Sequence, residues 1–93
     1  MNTTYREIPL MIEQKLSFIG NSTRAERIGD DYKIYSYSTL IYSSKDNYFS
    51  IDRYSHTTTK LQNIIAKVYY KKTIQQMRKE KEYGIELKEY SQY

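Results

Sequence analysis

The chain has 93 residues, 15 of them Lys or Arg against 11 Asp or Glu, for a formal net charge of +4. That length suits one small core and excludes a multidomain enzyme, and the lack of Cys excludes disulfides, thiol nucleophiles and thiolate zinc sites. No stretch approaches the roughly 18 apolar residues of a membrane span and the first residues lack the layout of a signal peptide, so the expectation is a single domain over 1–93 in a reducing cytoplasm.

Pro9 suits the first turn of a helix, and Leu10, Met11, Ile12 and Leu16 follow it, which predicts a short helix from about Pro9 to Leu16. Ser17 to Ile28 has no helical period and is interrupted by Gly20, Asn21 and Ser22. It reads as a first strand with a bend, followed by a turn at Gly29, Asp30 and Asp31. Tyr32 to Ser43 is rich in Tyr, Ile, Thr and Ser and reads as one half-buried strand, with Tyr35 and Tyr37 on one face and Tyr32 and Tyr42 on the other. Lys45, Asp46 and Asn47 are turn residues, and Tyr48 to Tyr54 returns as a third strand.

Ser55 and Thr57 to Thr59 offer side-chain oxygens to a helix start, and Leu61, Ile64, Ile65, Val68 and Tyr69 follow at helical spacing on about 140° of one face. Beyond Tyr70 the apolar stripe changes sides to Tyr70, Ile74 and Met77. Two readings stay open there: a bend near Lys71, or a straight helix that carries the second stripe away from its own core. The straight helix is preferred, which makes Tyr70, Ile74 and Met77 a homodimer interface. The resulting fold is α+β, a short N-terminal helix and a three-stranded antiparallel sheet packed by a long C-terminal helix. Its core covers about 9–70, with a helical extension and tail over 71–93.

From Arg53 through Lys79 there are seven Lys or Arg and no acid. On one helix Lys60, Lys67, Lys71 and Arg78 fall within about 40° of one another and form a basic ridge that suits phosphates; the plain alternative is a solvated helix face. Twelve Tyr, among them Tyr35 and Tyr37, supply rigid area with a polar tip for protein contacts or base stacking. His56 is the only histidine, Asp30, Asp31 and Asp52 lack the spacing of a metal site, and three scattered glycines make no phosphate loop, so neither catalysis nor a cofactor is expected.

Three stretches, SFIGNSTRAE at 17–26, YSYSTLI at 35–41 and YSHTTTKLQNII at 54–65, resemble in order and spacing a group of very small proteins encoded by bacteriophages and plasmids of Gram-positive bacteria. The matched positions include Ser22, Arg24, Ala25, Glu26, Ser36, Tyr37, Thr39, Ser55, Thr57, Thr58, Gln62 and Asn63. Arg24 with Glu26, and Gln62 with Asn63, are the polar candidates least explained by folding. The resemblance implies a mobile-element accessory protein of the host bacterial cytoplasm and supplies no reaction. Joined to the basic, Tyr-rich surface, it leads to a non-enzymatic binding protein. The first expectation is an inhibitor of a host defence nuclease of the CRISPR-effector type, acting by steric block. The alternatives are direct nucleic-acid binding in regulation or replication, and a structural or assembly role. The expected partner is a host protein or nucleoprotein complex, or nucleic acid itself, with no membrane.

Overall fold

The computed structural model describes residues 4–82, so most of the expected tail lies outside it. Its first element, α1 (Ile8–Glu13), carries Pro9 in its first turn and buries Ile8 and Ile12, four residues apart on one face. Lys15, at φ 54°, then takes the left-handed conformation and turns the chain into the sheet.

The sheet has five strands rather than three: β1 (Phe18–Ile19), β2 (Thr23–Ile28), β3 (Asp31–Ser36), β4 (Thr39–Ser43) and β5 (Tyr48–Phe49), each antiparallel to the next in chain order. Both longer predicted strands are hairpins. The first turns at Gly20, Asn21 and Ser22, where Gly20 N–H donates to the Thr23 carbonyl at 2.7 Å. The second turns at Tyr37 and Ser38, with Tyr37 at φ 55° in a position that ordinarily takes Asn or Gly. Alternation places Phe18, Ala25, Tyr32, Ile34 and Phe49 on the inner face. In β4 alternation fails, because Tyr35 pairs with Leu40 while Ile34 pairs with Tyr42. Ile41 is the extra residue of a bulge, which lets Ile41 and Tyr42 both be fully buried although they are adjacent.

The helix α2 (His56–Ile65) starts at Ser55, whose hydroxyl accepts the Thr58 N–H at 3.3 Å. It places Leu61 and Ile65 in the core. The chain then widens into one π-helical turn, Ala66–Tyr70, and stops at Lys71, which is left-handed (φ 59°, ψ 34°). Lys72 N–H turns back to the Ala66 carbonyl at 3.3 Å. The wider turn points two successive aromatic rings at the sheet: Tyr69 stacks on Tyr42 at 4.9 Å and Tyr70 on Phe49 at 5.3 Å. The third helix, α3 (Ile74–Glu82), opens on a reciprocal cap in which Gln76 N–H donates to the Thr73 hydroxyl at 3.1 Å and Thr73 N–H to the Gln76 side-chain Oε1 at 2.9 Å. Among the described residues no helix is long and apolar enough to cross a membrane.

The long straight helix is therefore two helices, and the second stripe is core. Tyr70, Ile74 and Met77 are 6%, 2% and 0% exposed, so they are not an oligomer interface: α3 packs back against α2 and the π-helical turn, and all three join the core that holds Leu61 and Ile65. Ile74→Glu with Met77→Glu is expected to unfold the monomer, and Met77→Ala to cost about 2–5 kcal/mol by urea denaturation; a native midpoint in the double variant would return the stripe to the surface.

Asp31 closes the opposite end of the sheet. Burial works to raise its carboxyl, but the Lys45 N–H at 3.0 Å, the Ser43 hydroxyl at 3.1 Å and the nearby Lys33 ammonium outweigh it and hold the carboxyl below the ordinary carboxylate range. A depressed folded pKa contributes stability above the unfolded pKa, and that stability is lost as pH falls through the folded value, here below about pH 4. Asp31→Asn should lower the neutral urea midpoint and flatten its fall on acidification; an acid limb identical to wild type would remove Asp31 from the acid response.

Candidate nucleic-acid interface

In the extended segment between β5 and α2, Ser50 N–H still donates to the Ile41 carbonyl of β4 at 2.8 Å, and the carbonyls of residues 50–52 are met by side chains. Gln62, completely buried on α2, donates through Nε2 to the Ser50 carbonyl at 2.8 Å and the Asp52 carbonyl at 3.0 Å. Its Oε1 accepts from Arg78 Nη2 at 2.9 Å, while Arg78 Nε donates to the Ile51 carbonyl at 2.8 Å and Nη2 to the Asp52 carbonyl at 3.2 Å. Asn63, the next residue on α2, accepts the Ile74 N–H at 3.1 Å and so satisfies the first amide of α3. Gln62, Asn63 and Arg78 thus bind α2, α3 and residues 50–52 into one polar clamp.

Arg78 is accordingly not part of an exposed ridge, and Lys71 is not on the same helix as Lys60. Their alignment required helical geometry through Lys71, which the left-handed residue ends. What the fold builds instead is a pair of depressions at the α3 end. One, of about 410 Å³, is lined by Arg53, Thr73, Gln75, Gln76, Arg78 and Lys79. The other, of about 350 Å³, shares Arg53 and Arg78 and adds Ile51, Asp52 and Lys81. Burial first, then the adjacent Arg53 charge, weakens the Arg78 guanidinium's hold on its proton, with Asp52 acting the other way. Two guanidinium groups beside one cavity make a field that attracts an anion.

Lys60 and Lys67 remain exposed and together line a third depression, of about 310 Å³, with Tyr5, Asn63 and Ile64. Lys60 Nζ lies 5.8 Å from the centre of the Tyr5 ring. Asn63 lines this depression and also accepts the first amide of α3, whereas Lys79 and Arg53 line the separate depression at the α3 end. Lys71 is exposed, with Nζ donating to the Val68 carbonyl at 3.1 Å. Lys72 is taken up by Glu80 at 2.7 Å; Glu80, expected in a frayed tail, is helical.

The other candidates lie on the sheet. Arg24 and Glu26, both on the outer face of β2, approach to 3.6 Å, and the Arg24 guanidinium sits 4.3 Å over the ring of Tyr35, its cross-strand partner. Tyr35 is half-buried on that face, whereas Tyr37 occupies the β3–β4 turn with 64% exposure. Tyr32 and Tyr42, their expected counterparts, are both core. His56 is exposed at the start of α2, and among the described residues no three His, Cys, Asp or Glu stand together as metal ligands.

Sequence reasoning missed Arg53, Lys79, Thr73 and Gln76. The Thr-x-x-Gln spacing at 73–76 is a capping signature and was the available signal for a second helix start. Gln62→Ala is expected to cost about 2–4 kcal/mol in urea denaturation by stranding the Arg78 guanidinium and two carbonyls. Arg78→Lys should destabilise as well, since one ammonium does not reproduce the fork. A Gln62→Ala loss below about 0.5 kcal/mol would place the clamp among ordinary surface contacts.

No curated protein and no solved structure matches this chain. A family model described as a family of unknown function, DUF8033, does match, over residues 6–83, which spans everything from α1 to α3, and the chain belongs to that family.

Proposed function

We propose that this chain is a non-enzymatic binding protein of a phage or other mobile element, working in the host bacterial cytoplasm, whose partner surface is the phosphate backbone of nucleic acid. The observation that carries this reading is that the depressions on the helical side are lined by cations, one by Lys60 and Lys67 and an adjoining pair by Arg53 and Arg78 with Lys79 and Lys81. Several such cationic sites suit a phosphate backbone, and each phosphate contact releases condensed counterions. The ion pairs among the described residues occupy Arg24, Lys33, Lys72 and Lys81 with Glu26, Asp31, Glu80 and Asp52. Arg53, Lys60, Lys67 and Lys79 are outside those pairs and supply the surplus charge.

Steric block of a host nuclease, the first expectation from the sequence, stands as a second reading with one observation of its own. The turns after β2 and β4 bring acids together, and Ser43 Oγ lies 3.1 Å from an Asp31 oxygen and 3.5 Å from one of Asp46. That end suits the basic groove of an effector, although Lys33 and Lys45 stand among the acids, and the basic run is the larger feature.

Charge reversal separates the two. Lys60→Glu, Lys67→Glu, Arg53→Glu and Lys79→Glu combined should abolish binding to a labelled oligonucleotide. Single Lys→Ala steps should each lower the salt slope of log K by about 0.7 to 0.9 for every phosphate that the protein ceases to neutralise. Arg78 is left intact because the fold needs it. Asp30→Lys with Asp46→Lys should leave nucleic-acid binding in place. Oligonucleotide binding unchanged in the fourfold variant, or no binding by the native protein at about 50 mM salt, would discard the phosphate reading.

A further inference from the structure

The three stretches 17–26, 35–41 and 54–65 converge at one corner of the molecule. Tyr37 N–H donates to the Ser22 carbonyl at 2.7 Å, which ties the β3–β4 turn to the β1–β2 turn. The neighbouring Ser36 hydroxyl meets the Thr58 hydroxyl at 2.7 Å, and Thr58 in turn meets Ser55 at 3.2 Å, which ties both turns to the start of α2. The buried hydroxyls account for the folding part of these stretches. They do not account for Tyr37. A bulky residue at φ 55° is strained where Gly or Asn is not, and here the ring it carries stands 64% exposed. Its neighbours form a shallow depression of about 200 Å³, with Ile19, Arg24 and the polar loop Gly20, Asn21 and Ser22.

We infer that this corner seats an unpaired nucleobase, so that the nucleic acid held by the basic depressions is single-stranded. An exposed aromatic ring offers a stacking face to any base, and a base needs polar groups at its edge, which the 20–22 loop supplies. Arg24, already 4.3 Å over Tyr35 and 3.6 Å from Glu26, adds a flat cationic surface beside it. The corner is also linked by hydrogen bonds to the first turn of α2, the turn that precedes Lys60. Thr57, next to Thr58, accepts from the Tyr5 hydroxyl at 3.4 Å through its carbonyl, and Tyr5 lies under Lys60. The inference rests on the phosphate reading above and adds strand type to it.

The test uses the full chain and three labelled probes of about 12 nucleotides, a size within the range of single-stranded sites: oligothymidylate, an abasic sugar-phosphate strand of the same length, and a duplex. The native protein should bind oligothymidylate about tenfold more tightly than the abasic strand, and more tightly than the duplex. Tyr37→Gly, which suits the left-handed turn and so preserves the fold, should erase that preference while leaving abasic binding unchanged, and Tyr37→Phe should retain it. Equal native affinity for abasic strand and oligothymidylate would overturn the inference and leave the phosphate reading standing. Equal losses on both probes in Tyr37→Gly would also overturn it, as would a preference that survives the substitution. Failure of the native protein to bind any of the three would remove both readings.

Discussion

The architecture depends on one buried side chain, Gln62. A carboxamide removed from water must satisfy both its oxygen and its nitrogen or destabilise the core around it. Gln62 does so by holding the carbonyls of Ser50 and Asp52 and receiving Arg78. Through Arg78 the third helix is fastened to the segment leaving the sheet, so that Met77, one residue earlier, comes to lie in the core. The same contact sets the cation surface. Arg78 is held by three acceptors from two parts of the chain, and Arg53 follows directly on the segment it grips. The groove at that end is thus a consequence of how the fold closes, and its geometry is fixed before any anion arrives, which lowers the ordering cost of binding one.

The helical half of the fold was partly legible. Between Ser55 and Tyr83 there is no Gly or Pro to mark a break, so propensity alone favours one continuous helix. The break was nevertheless written in the apolar pattern, because a stripe that changes sides has to be reconciled either by a second partner or by a change in backbone. The chain takes the second course with a π-helical turn and a left-handed Lys71. A left-handed Lys carries strain that propensity scales do not anticipate. It is offset by two aromatic stacks, Tyr69 on Tyr42 and Tyr70 on Phe49, whose sheet partners lie more than 20 residues away in sequence and are invisible to a local reading.

The sheet follows a related logic. Composition identifies which residues are extended, and the cap and apolar face of α2 follow from Ser55, Leu61 and Ile65. The strand count does not follow, because Tyr37 and Ser38 are poor advertisements for a two-residue turn and the adjacent buried pair Ile41 and Tyr42 disguises the alternation of β4. Of the candidate site, Lys60 and Lys67 are recognisable as exposed cations by their spacing. Gln62 and Asn63 stand out as unusual yet read as surface, since a polar residue on the buried side of a helix gives no local sign of the carbonyls that will meet it. Arg78 reads as a free charge for the same reason.

Two features that folding alone would avoid stand on the surface, and together they constrain what it does. Cations crowd around Arg53 and Arg78, although a carboxylate between them would relieve their repulsion; the near acid, Asp52, leans to Lys81 at 3.6 Å instead. In the β3–β4 turn Tyr37 holds an unfavourable backbone conformation and presents its ring to solvent. Repulsion left unrelieved is relieved by an anion, and an exposed ring is covered by another flat apolar face. A polymer that alternates phosphates with planar bases answers both requirements along one path, whereas an acidic protein surface answers the first and leaves the ring unexplained. The proposal of a nucleic-acid strand as the partner rests on that distribution of strain more than on the net charge.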